Sequence, residues 1–132
     1  MKKLLLVLLF ALSAFGSEVT WNSGYDQALA KAKKENKPLM VLITREDCGW
    51  CRKLESTTLR DNEVVSRINT SFEAVNVVKE KSIYPKNLTA KMVPMSYFID
   101  PRNGKVLYSI PGYWEVEDYS SVLDDALRKY KK

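Results

Sequence analysis

The chain's only two cysteines stand in Asp47-Cys48-Gly49-Trp50-Cys51-Arg52, close behind the apolar run Leu39-Met40-Val41-Leu42-Ile43. Such a run predicts a central strand buried on both faces. Residues 52–59, which follow the pair, can form a helix. A cysteine pair between a buried strand and a helix start is the layout of a redox-active dithiol. The helix start offers unpaired N–H groups and a partial positive charge, which favour a thiolate at Cys48. Cys51 can reach back to close a disulfide with it. A nucleophile and a resolving thiol are what exchange through a mixed disulfide requires.

Two plainer readings compete. As a staple, so short a loop restricts the unfolded chain by only ~2 kcal/mol, against ~3 kcal/mol for a fifteen-residue loop. As a zinc site the pair is half a site, because structural zinc takes four Cys or His ligands and the chain has no histidine. A metal carrier would have to share the ion, for example across a dimer. The missing histidine also excludes c-type haem attachment, since Arg52 stands where that motif needs His. Cys–His hydrolytic catalysis is excluded on the same ground. These exclusions favour redox chemistry with no metal and no bound cofactor, the dithiol being the redox centre.

The compartment agrees. Lys2-Lys3, an apolar stretch over 4–15 and Ala14-Phe15-Gly16 read as a signal peptide over residues 1–16, cleaved after Gly16. A span needs ~17–25 apolar residues, more than this stretch holds. The alternative is an uncleaved anchor. Export would make the protein periplasmic or secreted, where disulfides persist. Without Lys2 and Lys3 the net charge falls from +5 to +3, and the basic residues form no long block. Nothing points to nucleic acid. Residues 17–132 are expected to form one domain.

Along that domain, residues 18–21 suggest a short first strand. Ser23 and Asp26 suggest a capping box, before a helix with Tyr25, Ala28, Leu29 and Ala32 on one face. Asn36-Lys37-Pro38 ends it. Asp61 can cap a further helical turn or two, with Val64, Val65 and Ile68 inward. Residues 72–78 predict a strand, 79–87 a loop and 88–92 one helical turn. Residues 95–99 and 105–110 flank Asp100-Pro101-Arg102-Asn103-Gly104, strong turn chemistry for a β-hairpin. Val116, Tyr119, Leu123, Ala126, Leu127 and Tyr130 form the stripe of a last helix. The order predicts an α/β fold, a mixed sheet with helices on both faces.

With Cys-Gly-Trp-Cys after the buried strand, this order resembles the thioredoxin-like fold, and among its members the exported thioredoxin-like proteins and the C-terminal periplasmic domain of DsbD. The likeness includes the aspartate-led segment Arg60-Asp61-Asn62-Glu63-Val64 and the Val93-Pro94 junction, and it covers residues 17–132. It implies a mixed central sheet finished by a C-terminal β-hairpin plus helix. It implies a cis Pro94 facing the dithiol, with Val93 offering its backbone to a substrate strand. Gly112 matches a glycine that keeps the substrate groove open, and Trp50 would line that groove.

The chain also departs from the family pattern. Asp47 stands where thioredoxins have Trp. Leu42 occupies the place of a buried acid that takes the resolving thiol's proton, a role that would pass to Glu46, Asp47 or water. Arg45 and Arg52 would assist a Cys48 thiolate, Asp47 would oppose it, and no histidine lies between the cysteines. The combined expectation is a monomeric, exported disulfide reductase acting on a disulfide-containing protein substrate, with a membrane electron donor of the DsbD type. Its rival is a non-catalytic binding module or chaperone with a structural disulfide.

Overall fold

The computed structural model describes residues 18–132. The signal-peptide expectation for residues 1–16 lies outside them.

The described chain runs α1 (Tyr25–Glu35), β1 (Leu39–Thr44), α2 (Gly49–Ser56), a 3-10 turn (Thr58–Arg60), α3 (Asn62–Ser71), β2 (Glu73–Val78), β3 (Met95–Ile99), β4 (Val106–Pro111) and α4 (Val116–Lys131). The strands form one mixed sheet in the order β2-β1-β3-β4, with β1 and β2 parallel and the other neighbours antiparallel. This is the thioredoxin-like α/β architecture.

Every residue of β1 is buried, as an unbroken apolar run requires of a central strand. Its alternation divides the core in two. Leu39, Val41 and Ile43 join Ala28 and Ala32 of α1 on one face. Met40 and Leu42 meet Leu54 of α2, Val64 and Ile68 of α3, and Tyr119 and Leu123 of α4 on the other. The position of the family's buried acid is thus filled by a leucine packed among three helices.

Some local expectations fail for identifiable reasons. The proposed first strand is a single bridge, Trp21 to Ala74. The Ser23–Asp26 capping box does not form, because α1 starts one residue later with Gly24 as its N-cap. Residues 88–92 make no helical turn. Leu88 and Ala90 are both buried, an every-second-residue pattern, while the carbonyls of Thr89 and Ala90 are taken by the Tyr97 hydroxyl and by Lys79 Nζ. Asp61 does cap α3, accepting from the N–H groups of Glu63 and Val64, but that helix runs ten residues.

Candidate active site

β1 ends at Thr44, and three exposed residues later the chain turns into α2. Cys48 is the N-cap of that helix: its Sγ accepts the backbone N–H of Cys51 across 3.1 Å. The two cysteines form a disulfide with their Cα atoms 5.3 Å apart. Cys48 is 8% exposed and Cys51 2%, so the first sulfur lies nearer to solvent.

The Val93–Pro94 peptide bond is cis, as the resemblance implies. It sits against the disulfide, with the Val93 carbonyl oxygen 3.9 Å from Cys48 Sγ. The Pro94 carbonyl accepts from the Gly112 N–H at 2.7 Å, which ties the end of β4 to the same junction. Gly112 has φ +84°, and a Cβ there would meet only Met92, at an ordinary 3.7 Å. Conformation more than space therefore asks for glycine at this position.

Trp50, Met92, Val93, Pro111, Gly112, Tyr113 and Trp114 line an open groove of about 430 Å³ beside the disulfide. Trp50 is 58% exposed, and its ring centroid lies 5.7 Å from that of Tyr113. Lys53 Nζ stands over both rings, at 5.0 Å and 4.7 Å. The Tyr113 hydroxyl lies 3.3 Å from Thr57 Oγ1. Hydrogen bonds with Thr57 first, then Thr58, hold its phenol below the usual range. Four of the sequence-expected residues (Trp50, Val93, Pro94 and Gly112) thus gather around the two cysteines.

The charged neighbours fall elsewhere. Arg45 is engaged by Glu80 at 2.8 Å, and Glu46 pairs with Lys81. Arg52 donates to the Glu46 carbonyl at 3.2 Å. A carboxylate that sequence reasoning missed lies on the same helix as Cys51: Glu55, one turn beyond it on the same face of α2. Helical side chains lean toward the N-terminus, so Glu55 covers the surface toward Cys51. Its Oε1 accepts from Asn76 Nδ2 at 2.5 Å, and Asn76 Oδ1 accepts from Thr44 Oγ1 at 3.0 Å. The signal was the i, i+4 spacing. Tyr113 and Met92, next to Gly112 and Val93 in sequence, were missed as well.

No group of three or more potential metal ligands occurs among the described residues.

Comparison with known proteins agrees with this architecture. The profile of a family described as "Thioredoxin-like domain" matches residues 25–127. Anterior gradient protein 3 of Mus musculus is 34% identical over 89 residues, which are 66% of this chain and 53% of that protein. Anterior gradient protein 2-B of Xenopus laevis is 29% identical over 106 residues, 80% of this chain and 63% of that one. The chain therefore spans between half and two thirds of these relatives' length. Among solved structures, a thioredoxin from Thermus thermophilus superimposes with a TM-score of 0.76 at 20% identity, covering 86% of this chain and 90% of that one. The DsbD C-terminal domain of Neisseria meningitidis gives 0.54 at 20% identity, over 74% and 92%. Both likenesses are of fold.

Proposed function

The chain belongs to the thioredoxin-like domain family, and we propose that it is an exported thiol–disulfide oxidoreductase of the disulfide-reductase type. The observation that carries this reading is the Cys48–Cys51 disulfide, set as the N-cap of α2 beside the Val93 carbonyl and an open apolar groove.

In the reduced protein, the Cys51 N–H and the start of α2 stabilise a thiolate on Cys48. That thiolate attacks one sulfur of a substrate disulfide. The substrate's sulfur–sulfur bond breaks, its other sulfur leaves as a thiolate and takes a proton, and a mixed disulfide to Cys48 forms. The Cys51 thiol then gives its proton to Glu55, which stands one turn along the helix, and attacks Cys48 Sγ. The second substrate sulfur leaves and is protonated. Two electrons have passed to the substrate, and the protein holds the Cys48–Cys51 disulfide. A reduced dithiol on a membrane electron donor of the DsbD type returns the two electrons. No further cofactor enters the cycle.

Val93 and Pro94 position the substrate backbone beside Cys48. Trp50 with Tyr113 receives an apolar side chain next to the substrate cysteine. The polypeptide works as a monomer in the periplasm or outside the cell, after loss of residues 1–16. Intact mass of the exported protein checks that loss, and a species retaining Met1 to Gly16 contradicts it.

The deciding measurement is the reduction potential, by equilibration with glutathione. A reductase of this kind is expected above about −300 mV, while a structural disulfide lies below that value. A value below it transfers the reading to a binding module on the same scaffold.

A further inference from the structure

The fourteen residues 79–92 join β2 to β3 without regular structure and carry four lysines against one glutamate. The rest of the described chain has equal numbers of acidic and basic residues, so this one loop holds its entire net charge of +3. The loop is built as a surface. Leu88 and Ala90 bury into the core, Lys79 Nζ donates to the Ala90 carbonyl at 2.7 Å, and Ser82 Oγ accepts the Val78 N–H at 2.8 Å. Two ion pairs, Arg45–Glu80 and Glu46–Lys81, fasten it to the segment that leads into Cys48.

Those contacts consume the loop's only carboxylate and leave Lys86 and Lys91 exposed, with no ion pair among the described residues. Both line a concavity of about 640 Å³ with Lys79, Ile83, Tyr84 and Thr89, and no carboxylate lines it. Ile83, on its rim, is 93% exposed. A side chain that exposed adds little burial to the fold, and it shares its concavity with Lys86 and Lys91. Beyond Lys91 the chain continues directly into Met92 and Val93, which line the groove at the disulfide.

From this charge pattern and this continuity we infer that loop 79–92 is a docking surface for an acidic, apolar segment of the protein that exchanges disulfides with Cys48. The inference rests on the redox reading above for the partner's identity as a substrate. The surface itself, with cations at Lys86 and Lys91 and an apolar contact at Ile83, does not require that chemistry. Carboxylates on the partner meet the two lysines, which speeds and orients encounter, and an apolar side chain covers Ile83.

The test uses fluorescence anisotropy of a dye-labelled, cysteine-free peptide that alternates leucine with glutamate, on the full oxidised protein. Wild type is expected to bind it and to lose affinity as salt is raised. The double variant Lys86→Glu/Lys91→Glu is expected to bind about tenfold more weakly or worse. Ile83→Ser should weaken binding by about threefold or more. All three positions are exposed, so circular dichroism of the variants should match wild type. A wild type that ignores the peptide, a double variant that binds it equally, or equal binding of a leucine–lysine peptide overturns the inference. So does binding only to phosphatidylglycerol vesicles, which would make the surface a lipid site. No thiol takes part, so the result is independent of the reduction potential. In a second arm, a disulfide peptide carrying the same acidic segment should lose kcat/KM about tenfold in the double variant, with an uncharged disulfide peptide unaffected. Equal loss on both peptides would place the defect at the redox site and remove the claim that docking serves exchange.

Discussion

The backbone N–H of Cys51 points at the sulfur of Cys48 across 3.1 Å, so the first cysteine caps the helix that carries the second. A cap is usually an oxygen that satisfies one of the orphan donors of the first turn. A sulfur in that place becomes a better acceptor when it carries charge, because a charge-assisted hydrogen bond is roughly twice as strong as a neutral one. Reduction of the disulfide thus creates the species the helix end is arranged to hold. Cys51 sits inside the first turn, buried, and its sulfur accepts no such donor among the described residues.

On that asymmetry we propose Cys48 as the attacking sulfur and Cys51 as the resolving one. Cys51→Ser is expected to accumulate a mixed disulfide between Cys48 and substrate, stable without reducing agent, because the resolving attack is lost. Cys48→Ser is expected to accumulate little or none. Non-reducing gels of the two variants from the exporting host make the comparison. Trapping by Cys48→Ser would reverse the assignment, and trapping by neither would favour a binding module.

Glu55 is expected to set the rate of resolution. Glu55→Gln keeps an acceptor for Asn76 but takes no proton, so release of the mixed disulfide should slow by about tenfold to a hundredfold near neutral pH. The gap should narrow as pH rises, since a Cys51 that ionises by itself needs no base. Single-turnover release across pH is the measurement. Equal slowing at every pH would indicate a positioning role alone.

Trp50 separates stability from recognition. More than half its surface faces solvent, so Trp50→Ala should change stability by no more than about 0.5 kcal/mol. Loss of one wall of the groove should raise KM for disulfide peptides with an aromatic residue beside the cysteine by about tenfold, with kcat little changed. A fall in kcat with constant KM would instead assign Trp50 to holding the disulfide.

The parts of this site legible in the sequence are those that depend on short-range pattern. The unbroken apolar run announced β1, and the dithiol followed from its position behind that run. Asp61 was readable as a cap because an N-cap acts within three residues. What escaped depends on which strands and helices become neighbours. Glu55 gains meaning only when β2 brings Asn76 beneath α2. Tyr113 becomes a groove wall only when the end of β4 returns to the junction at Pro94. The helical turn expected over 88–92 failed because Tyr97 and Lys79, distant in pattern, capture the carbonyls that such a turn would use. Likewise no local pattern marks Lys86 and Lys91 as the unpaired cations of loop 79–92, because Arg45 and Glu46, which engage Glu80 and Lys81, lie on a distant segment of the chain.

Two buried carboxylates should respond to pH with opposite sign. Burial first, and then a hydrogen bond to Glu35, raises the Glu73 pKa above the ordinary value of 4.5. The native state therefore holds this proton more tightly than the unfolded chain, and stability falls as pH rises through the window between the two pKa values. The loss persists at neutral pH. Glu73→Gln can still accept from Asn22 Nδ2, and the pair it forfeits, with a half-exposed Lys31 at 3.9 Å, is worth little. The variant should be more stable than wild type by up to about 1 kcal/mol at neutral pH, with the difference vanishing below about pH 4. Asp100 is the opposite case. Its carboxyl, held by Arg102 below the usual range, accepts from the Arg102 backbone N–H at 2.9 Å and from its guanidinium at 2.9 and 2.8 Å. This stability is present above the unfolded pKa and is lost as pH falls through the folded one. Asp100→Asn should therefore destabilise at neutral pH by about 1–3 kcal/mol, less as the medium is acidified. Urea titrations of the three proteins between about pH 3 and pH 8 read both slopes. A Glu73→Gln variant less stable than wild type at neutral pH would mean that the Lys31 pair outweighs burial and the repulsion from Glu35.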